Sequence, residues 1–166
     1  MTYPEIGELK YKEVQGRMVD GIFDGVGKFT FANGRVYEGG FVGGLADGNG
    51  IKTWPNGAKY EGEWKSAEMH GRGTKIWPNG NSYTGDWVSS LEHGRGKYEE
   101  YDGSIYEGDF VKGKREGKGK IMWKDGATYI GQWKEDNLNG QGKMTWKEGT
   151  VYVGNFVDGQ RHGHGV

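Results

Sequence analysis

The sequence predicts an all-β fold: an elongated, single-layer antiparallel β-meander of tandem 23-residue β-hairpins, forming a twisted sheet. Three observations predict it. Tyr37, Tyr60, Tyr83, Tyr106, Tyr129 and Tyr152 stand 23 residues apart without an insertion or deletion, and a fixed period of that size marks a repeat array. Around each tyrosine the side chains alternate with period two, as in Tyr60-Glu61-Gly62-Glu63-Trp64, which is the pattern of a half-buried strand. A turn pair then recurs at a constant offset: Asn33-Gly34, Asn56-Gly57, Asn79-Gly80, Asp102-Gly103 and Asp125-Gly126, with Glu148-Gly149 the weakest.

Composition alone points elsewhere. In a chain of 166 residues, 34 glycines and a mean hydropathy of -0.87 would ordinarily suggest low complexity. Here most glycines fall on four repeat positions and all seven tryptophans on two, so the composition reflects a backbone template. The 22 basic and 23 acidic residues are spread evenly, and an isoelectric point near 6.4 argues against nucleic acid as a partner. The absence of cysteine excludes a disulfide framework, a thiolate metal site and a thiol nucleophile. No signal-peptide pattern opens the sequence and no apolar run is long enough to span a bilayer, so a cytoplasmic protein is expected.

Taken in order, residues 1–13 lie outside the repeat, and Ile6, Leu9 and Tyr11 suggest an N-terminal cap or extra strand. Residues 14–166 form the array: one degenerate copy from Val14, then six regular copies, the last incomplete. In each copy the first strand carries the anchor tyrosine, a glycine two residues on and an aromatic four on: Phe41, Trp64, Trp87, Phe110, Trp133 or Phe156. The second strand is expected after the glycine pair, as Thr74 to Trp77 follow Gly71 and Gly73, giving about 13 strands in all. Two loops could close the next reversal. A two-residue loop pairs Trp54 with Lys59, and a three-residue loop pairs Trp54 with Ala58. Pro55 and Pro78 cannot donate the hydrogen bond that the first requires but suit the opening of a type I turn, which favours the second. That register brings Phe31, Trp54, Trp77, Trp123 and Trp146 to the face of the tyrosines. Gly62, between Tyr60 and Trp64, is expected to leave a notch for a ring of a neighbouring copy. The other face, with Glu38, Glu61, Glu63, Asp86, Glu107 and Asp109 among Lys97, Lys120 and Lys143, reads as a solvated surface with cross-strand ion pairs.

The pattern Tyr-x-Gly-x-Trp, followed by His-Gly-x-Gly at His70-Gly71-Arg72-Gly73, His93-Gly94-Arg95-Gly96 and His162-Gly163-His164-Gly165, resembles the MORN (membrane occupation and recognition nexus) repeat over residues 14–166. Asp47, Glu116 and Asn139 replace the histidine, and Ser66-Ala67 and Ser89-Ser90 replace the usual mid-loop glycine. The resemblance implies an extended, non-enzymatic sheet: a scaffold in cytoskeletal or ciliary assemblies, a membrane-associated tether, or an accessory region of an enzyme whose catalytic domain this sequence lacks.

No catalytic, cofactor or metal site is expected. His70, His93 and His162 occupy one loop position in different copies, about 10 Å or more apart, too far to share a metal ion. The carboxylates form a ladder without convergence. Two surfaces remain as candidates. The first is a protein-binding groove of Tyr37, Phe41, Trp54, Tyr60, Trp64, Trp77, Tyr83, Trp87, Tyr106, Phe110, Trp123, Tyr129, Trp133, Trp146 and Tyr152, suited to a protein segment such as a helix, although about half of these rings serve as core on a rough prior. The second is the basic cluster Lys112, Lys114, Arg115, Lys118 and Lys120, a candidate contact for anionic phospholipid. The sequence stops where the second strand of the last copy should begin, so this edge is expected to pair with a second copy or a partner, or to continue in a longer array.

Overall fold

The structure, a computed structural model, describes residues 11–166, with side chains from Gln15 onward. Over the described residues it is all β: fourteen strands follow one another in the sheet in chain order, and the described neighbours are antiparallel. The cap reading for residues 1–13 lies outside the described residues up to position 10, and residues 11–13 belong to the first strand. The chain forms two compact units. One holds the residues up to Pro78 with Trp87–Ser90, and the other holds Asn79–Asp86 with Leu91–Val166.

The first unit contains β1 (Tyr11–Val19), β2 (Ile22–Phe31), β3 (Val36–Val42), β4 (Leu45–Thr53), β5 (Lys59–Lys65) and β6 (Glu68–Ile76). Strand β7 (Ser82–Val88) contributes residues to both units. The second unit continues with β8 (Leu91–Glu99), β9 (Ile105–Val111), β10 (Lys114–Met122), β11 (Thr128–Lys134), β12 (Asn137–Thr145), β13 (Val151–Val157) and β14 (Gln160–Gly165).

Two kinds of reversal alternate. Between β4 and β5 the Trp54 N–H donates to the Ala58 carbonyl at 2.9 Å and the Gly57 N–H to the Trp54 carbonyl at 3.0 Å. This is the three-residue loop that the prolines favoured. Gly57 takes the left-handed position with φ 89°, and the Asn56 carboxamide oxygen accepts the Ala58 N–H at 3.1 Å. The other reversal, between β5 and β6, is a two-residue type I′ turn in which both Ser66 (φ 49°) and Ala67 (φ 68°) are left-handed.

That turn corrects the expected start of the second strand. Strand β6 begins at Glu68, before the glycine pair, because the chain reverses at Ser66-Ala67 and the His70–Arg72 stretch is a bulge inside the ladder. Gly62 faces Gly73 and Trp64 faces Met69, so β6 carries extra residues between these pairs, with Gly71 left-handed at φ 56°. The Glu63 carboxylate accepts the Arg72 N–H of the bulge at 2.8 Å. Asp86 does the same for Arg95 at 3.0 Å, Asp109 for Lys118 at 3.0 Å, and Gln132 for Gln141 at 2.8 Å. Glu63, Asp86 and Asp109 are therefore caps on the bulge before they are members of an ion-pair ladder. Cross-strand ion pairs of the expected kind do occur, as between the exposed Lys28 and Glu38 at 3.7 Å, although Lys28 is not among the lysines expected on this face.

The core follows from the glycines. Gly62 and Gly73 lie opposite each other, and the Tyr60 ring lies over both; a β-carbon on either would overlap it. The notch thus receives the tyrosine of its own repeat, which corrects the expectation of a neighbour's ring. The Tyr60 hydroxyl then donates to the Glu63 carbonyl at 2.9 Å, as Tyr37 does to Gly40 at 2.9 Å and Tyr106 to Asp109 at 3.1 Å. Rings of successive repeats meet edge to face. In the first unit Tyr37–Trp64, Tyr60–Trp64 and Tyr60–Trp87 have centroids 5.2, 5.0 and 5.4 Å apart. In the second, Tyr106–Phe110, Tyr106–Trp133 and Tyr129–Trp133 are 5.1, 5.0 and 5.5 Å apart.

Two substitutions should move stability in opposite directions. Gly73→Ala forces the Tyr60 ring off the sheet and should destabilise by about 2 kcal/mol or more, the range for an overpacked core. Ala67→Gly removes a β-carbon from a left-handed residue and should stabilise by about 1 kcal/mol. Denaturant unfolding of the two variants beside the parent chain checks both signs.

Candidate functional site

The face that carries the tyrosines divides into a buried layer and an accessible one. Tyr37, Phe41, Tyr60, Trp64 and Trp87 in the first unit are 5% exposed or less, as are Tyr83, Tyr106, Phe110, Tyr129 and Trp133 in the second. These rings are core and offer a partner little surface, apart from the edges of Phe41 and Trp64 that wall a small recess beside Ala46. The indole N–H groups are also engaged within the fold: Trp64 donates to the Gly50 carbonyl at 3.1 Å, Trp87 to Gly73 at 3.0 Å and Trp133 to Gly119 at 3.2 Å. Accessible ring surface remains at Trp54 and Trp77 in the first unit and at Trp123, Trp146 and Tyr152 in the second, all of them part-buried.

The structure adds cations that sequence reasoning did not place on this face. Lys52 Nζ lies 5.9, 5.4 and 5.5 Å from the ring centroids of Phe31, Trp54 and Trp64. Lys75 Nζ lies 6.0, 5.2 and 5.9 Å from those of Trp54, Trp77 and Trp87. These distances suit cation–π attraction. The signal was available: Lys52 faces Tyr60 in the β4–β5 ladder, so the register that sends Trp54 inward sends Lys52 with it. Burial pushes the Lys52 ammonium below its ordinary pKa, and the charge of Arg35 adds to the shift. In the second unit Arg115 covers Trp133 at 4.7 Å and Arg161 covers Trp146 at 5.5 Å.

The basic cluster is not gathered in one place. Arg115 lies on the aromatic face, ion-paired to Asp136 at 3.2 Å. Lys112 is in a tight turn, and Lys114 pairs with Glu135 at 3.8 Å. Lys118 and Lys120 line an open cavity of about 550 Å³ on the opposite face, together with Arg95, Glu107, Ile130 and Gln141. The histidines serve the bulge through their backbones, since the Tyr60 hydroxyl reaches the His70 carbonyl at 3.4 Å and that of Tyr83 the His93 carbonyl at 3.2 Å. Among the described residues no group of three or more histidines and carboxylates is placed to hold a metal ion.

The burial of these rings has two measurable consequences. Trp87→Ala should cost about 3–5 kcal/mol, whereas Trp54→Ala should cost about 1 kcal/mol, when both are measured by denaturant unfolding. Burial, reinforced by Asp47, pushes the Tyr37 phenol up from 10.0 to about 12, and burial also raises Tyr60 and Tyr106. An unfolded chain releases these protons near pH 10, so between pH 10 and about 12 the folded state binds more protons and loses stability as pH rises. A pH titration should show full stability below pH 10 on this account, then alkaline unfolding in which tyrosinate absorbance of the buried rings appears together with loss of β structure.

Comparison with known proteins agrees with this geometry. The family model for the MORN repeat matches residues 15–34, 37–59, 60–82, 83–105, 106–128, 129–151 and 152–166. No curated protein sequence matches the chain. Among solved structures the chain is similar to the TCP domain of SAS-4 (dCPAP) of Drosophila melanogaster, solved in complex with a proline-rich motif of Ana2 (dSTIL). The identity there is 15% over 80% of this chain and 73% of that one, with a TM-score of 0.51. It is also similar to the G-box domain of the microcephaly protein CPAP, at 18% identity over 84% of this chain and 80% of that one, with a TM-score of 0.44. Seven consecutive matched repeats, each a hairpin whose tyrosine lies over a cross-strand glycine pair in the regular copies, show that the chain belongs to the MORN repeat family.

Proposed function

We propose that this chain is a non-catalytic scaffold whose aromatic face captures a segment of another protein, in a cytoskeletal or ciliary assembly. The observation that carries the reading is the pair of part-exposed indoles, Trp54 and Trp77, interleaved with Lys52 and Lys75 in the first unit. Tryptophan flanked by cations is the composition of an interaction hot spot. His70, His93, Glu63, Asp86 and Asp109, by contrast, are spent on the bulges. An extended proline-rich segment suits such a surface, because its rings stack on indoles and it needs few backbone partners. The TCP domain of similar fold, in complex with a proline-rich motif, supports this choice over a helix. No observation favours the lipid reading, since Lys112, Lys114, Arg115, Lys118 and Lys120 are divided between two faces and two of them are ion-paired.

A display library of short proline-rich and helical peptides, selected on the parent chain and measured by calorimetry, tests the reading. Selected peptides should lose affinity about 10-fold with Trp54→Ala or Trp77→Ala, equal to about 1.4 kcal/mol, while both variants unfold within a few degrees of the parent. Affinity unchanged in both variants would overturn it.

A further inference from the structure

The repeats share one template, and one inward-facing position departs from it in the first unit. Nine residues after the anchor, beside the aromatic that ends each first strand, stand Ala46 opposite Phe41 and Met69 opposite Trp64. Met69 is 6% exposed and fills its place, as Leu138 does opposite Trp133 at 8%. Ala46 is too short to do so. A cavity of about 150 Å³ is left, bounded by Phe29, Phe31, Phe41, Leu45 and Trp64. This partly open recess, apolar except where Lys52 lines it, has room for a small apolar side chain.

Lys52 also lines this cavity. Its ammonium has three rings within 6 Å, and no carboxylate among the described residues pairs with it. The Arg35 guanidinium acts on it by repulsion. A partly desolvated cation with only ring faces for company gains from an anion brought to it. Lys75 does not duplicate the site, because Met69 occupies the corresponding space.

We propose that the Ala46 pocket takes one branched apolar side chain of the bound segment while Lys52 pairs with a carboxylate beside that side chain. The recognised motif is then an apolar residue with an acidic neighbour, and this pocket sets where along the face the segment registers. The inference rests on the scaffold reading above and names the chemistry of its partner.

Isocaproate carries both elements, and isocaproamide is the same shape without the charge. Each is titrated into the full chain while the indole N–H resonances of Trp54 and Trp64 are followed. Isocaproate should give saturable shifts, and isocaproamide should bind about 10-fold more weakly. Lys52→Met should bring the two probes to equal affinity. Ala46→Met, which installs the residue of the following repeat, should abolish both while leaving the spectrum dispersed. Equal binding of acid and amide to the parent chain would overturn the proposal, as would isocaproate binding undiminished in Ala46→Met or the lack of a saturable shift at Trp64. Should Ala46→Met fail to fold, the acid-to-amide ratio in the parent and in Lys52→Met decides alone. Peptide binding that is still lost in Trp77→Ala would show that the scaffold reading survives failure of the pocket.

Discussion

A phenol ring lying flat across two glycines is the contact on which the rest of this protein depends. A one-layer sheet has no second layer to bury its apolar face, so the rings must cover one another and the backbone beneath them. They come close enough only where two facing residues lack side chains. Gly62 and Gly73 provide that clearance for Tyr60, and Gly39 with Gly50 does so for Tyr37. Once flat, the ring places its hydroxyl over the carbonyl of Glu63, three residues on, at the rim of the bulge. The buried donor is thereby satisfied, as a buried hydroxyl must be. Apolar burial, bulge position and hydrogen bonding are therefore settled together by one side chain.

A second consequence concerns cooperation between repeats. The tight turns adopt left-handed geometry at residues with β-carbons, including Ser66, Ala67, Glu135 and Asp136, which costs each of them stability. The second residue of each such turn donates its N–H to a strand of the preceding repeat: Ala67 to Ala46 at 2.8 Å, Asp136 to Arg115 at 3.1 Å. The turn conformation is thus held from outside its own hairpin. A single repeat would have the strain without the bond, which is the physical reason such units stand only in arrays.

The template was legible in the sequence because each of its parts is local and repeated. The period follows from the tyrosines, and the three-residue loop is favoured by Pro55 and Pro78, whose missing N–H counts against the competing register. The bulge was not legible. His70-Gly71-Arg72 reads as loop, and cross-strand bonds such as that from the Arg72 N–H to Glu63 tie it into the strand. Nor did alternation reveal the depth of burial. Tyr60 and Trp54 share a face, yet one is fully buried and the other part-exposed, since depth depends on which ring the next repeat lays over it. The basic cluster failed for a related reason: the bulge at Gly117 intervenes between Arg115 and Lys118, so closeness in sequence did not become closeness in space.

Depth of burial also decides which positions are free to carry specificity. Residues that satisfy the template, the tyrosines and the paired glycines, have almost no chemical latitude, because any change is felt by the ring above or the strand opposite. They are the same in every regular copy and cannot distinguish one stretch of the face from another. Latitude exists where the template asks only for an inward side chain of some kind, as at Ala46, Met69, Arg115 and Leu138, or for a residue among the indoles, as at Lys52, Lys75 and Ile121. A uniform array would bind a segment in many registers with similar energy. Differences at these few positions are what break that degeneracy, since specificity is a difference between affinities and not an affinity. On the scaffold reading proposed above, the information that selects a partner lies in the departures from the repeat, while the repeat itself supplies the surface on which they are displayed.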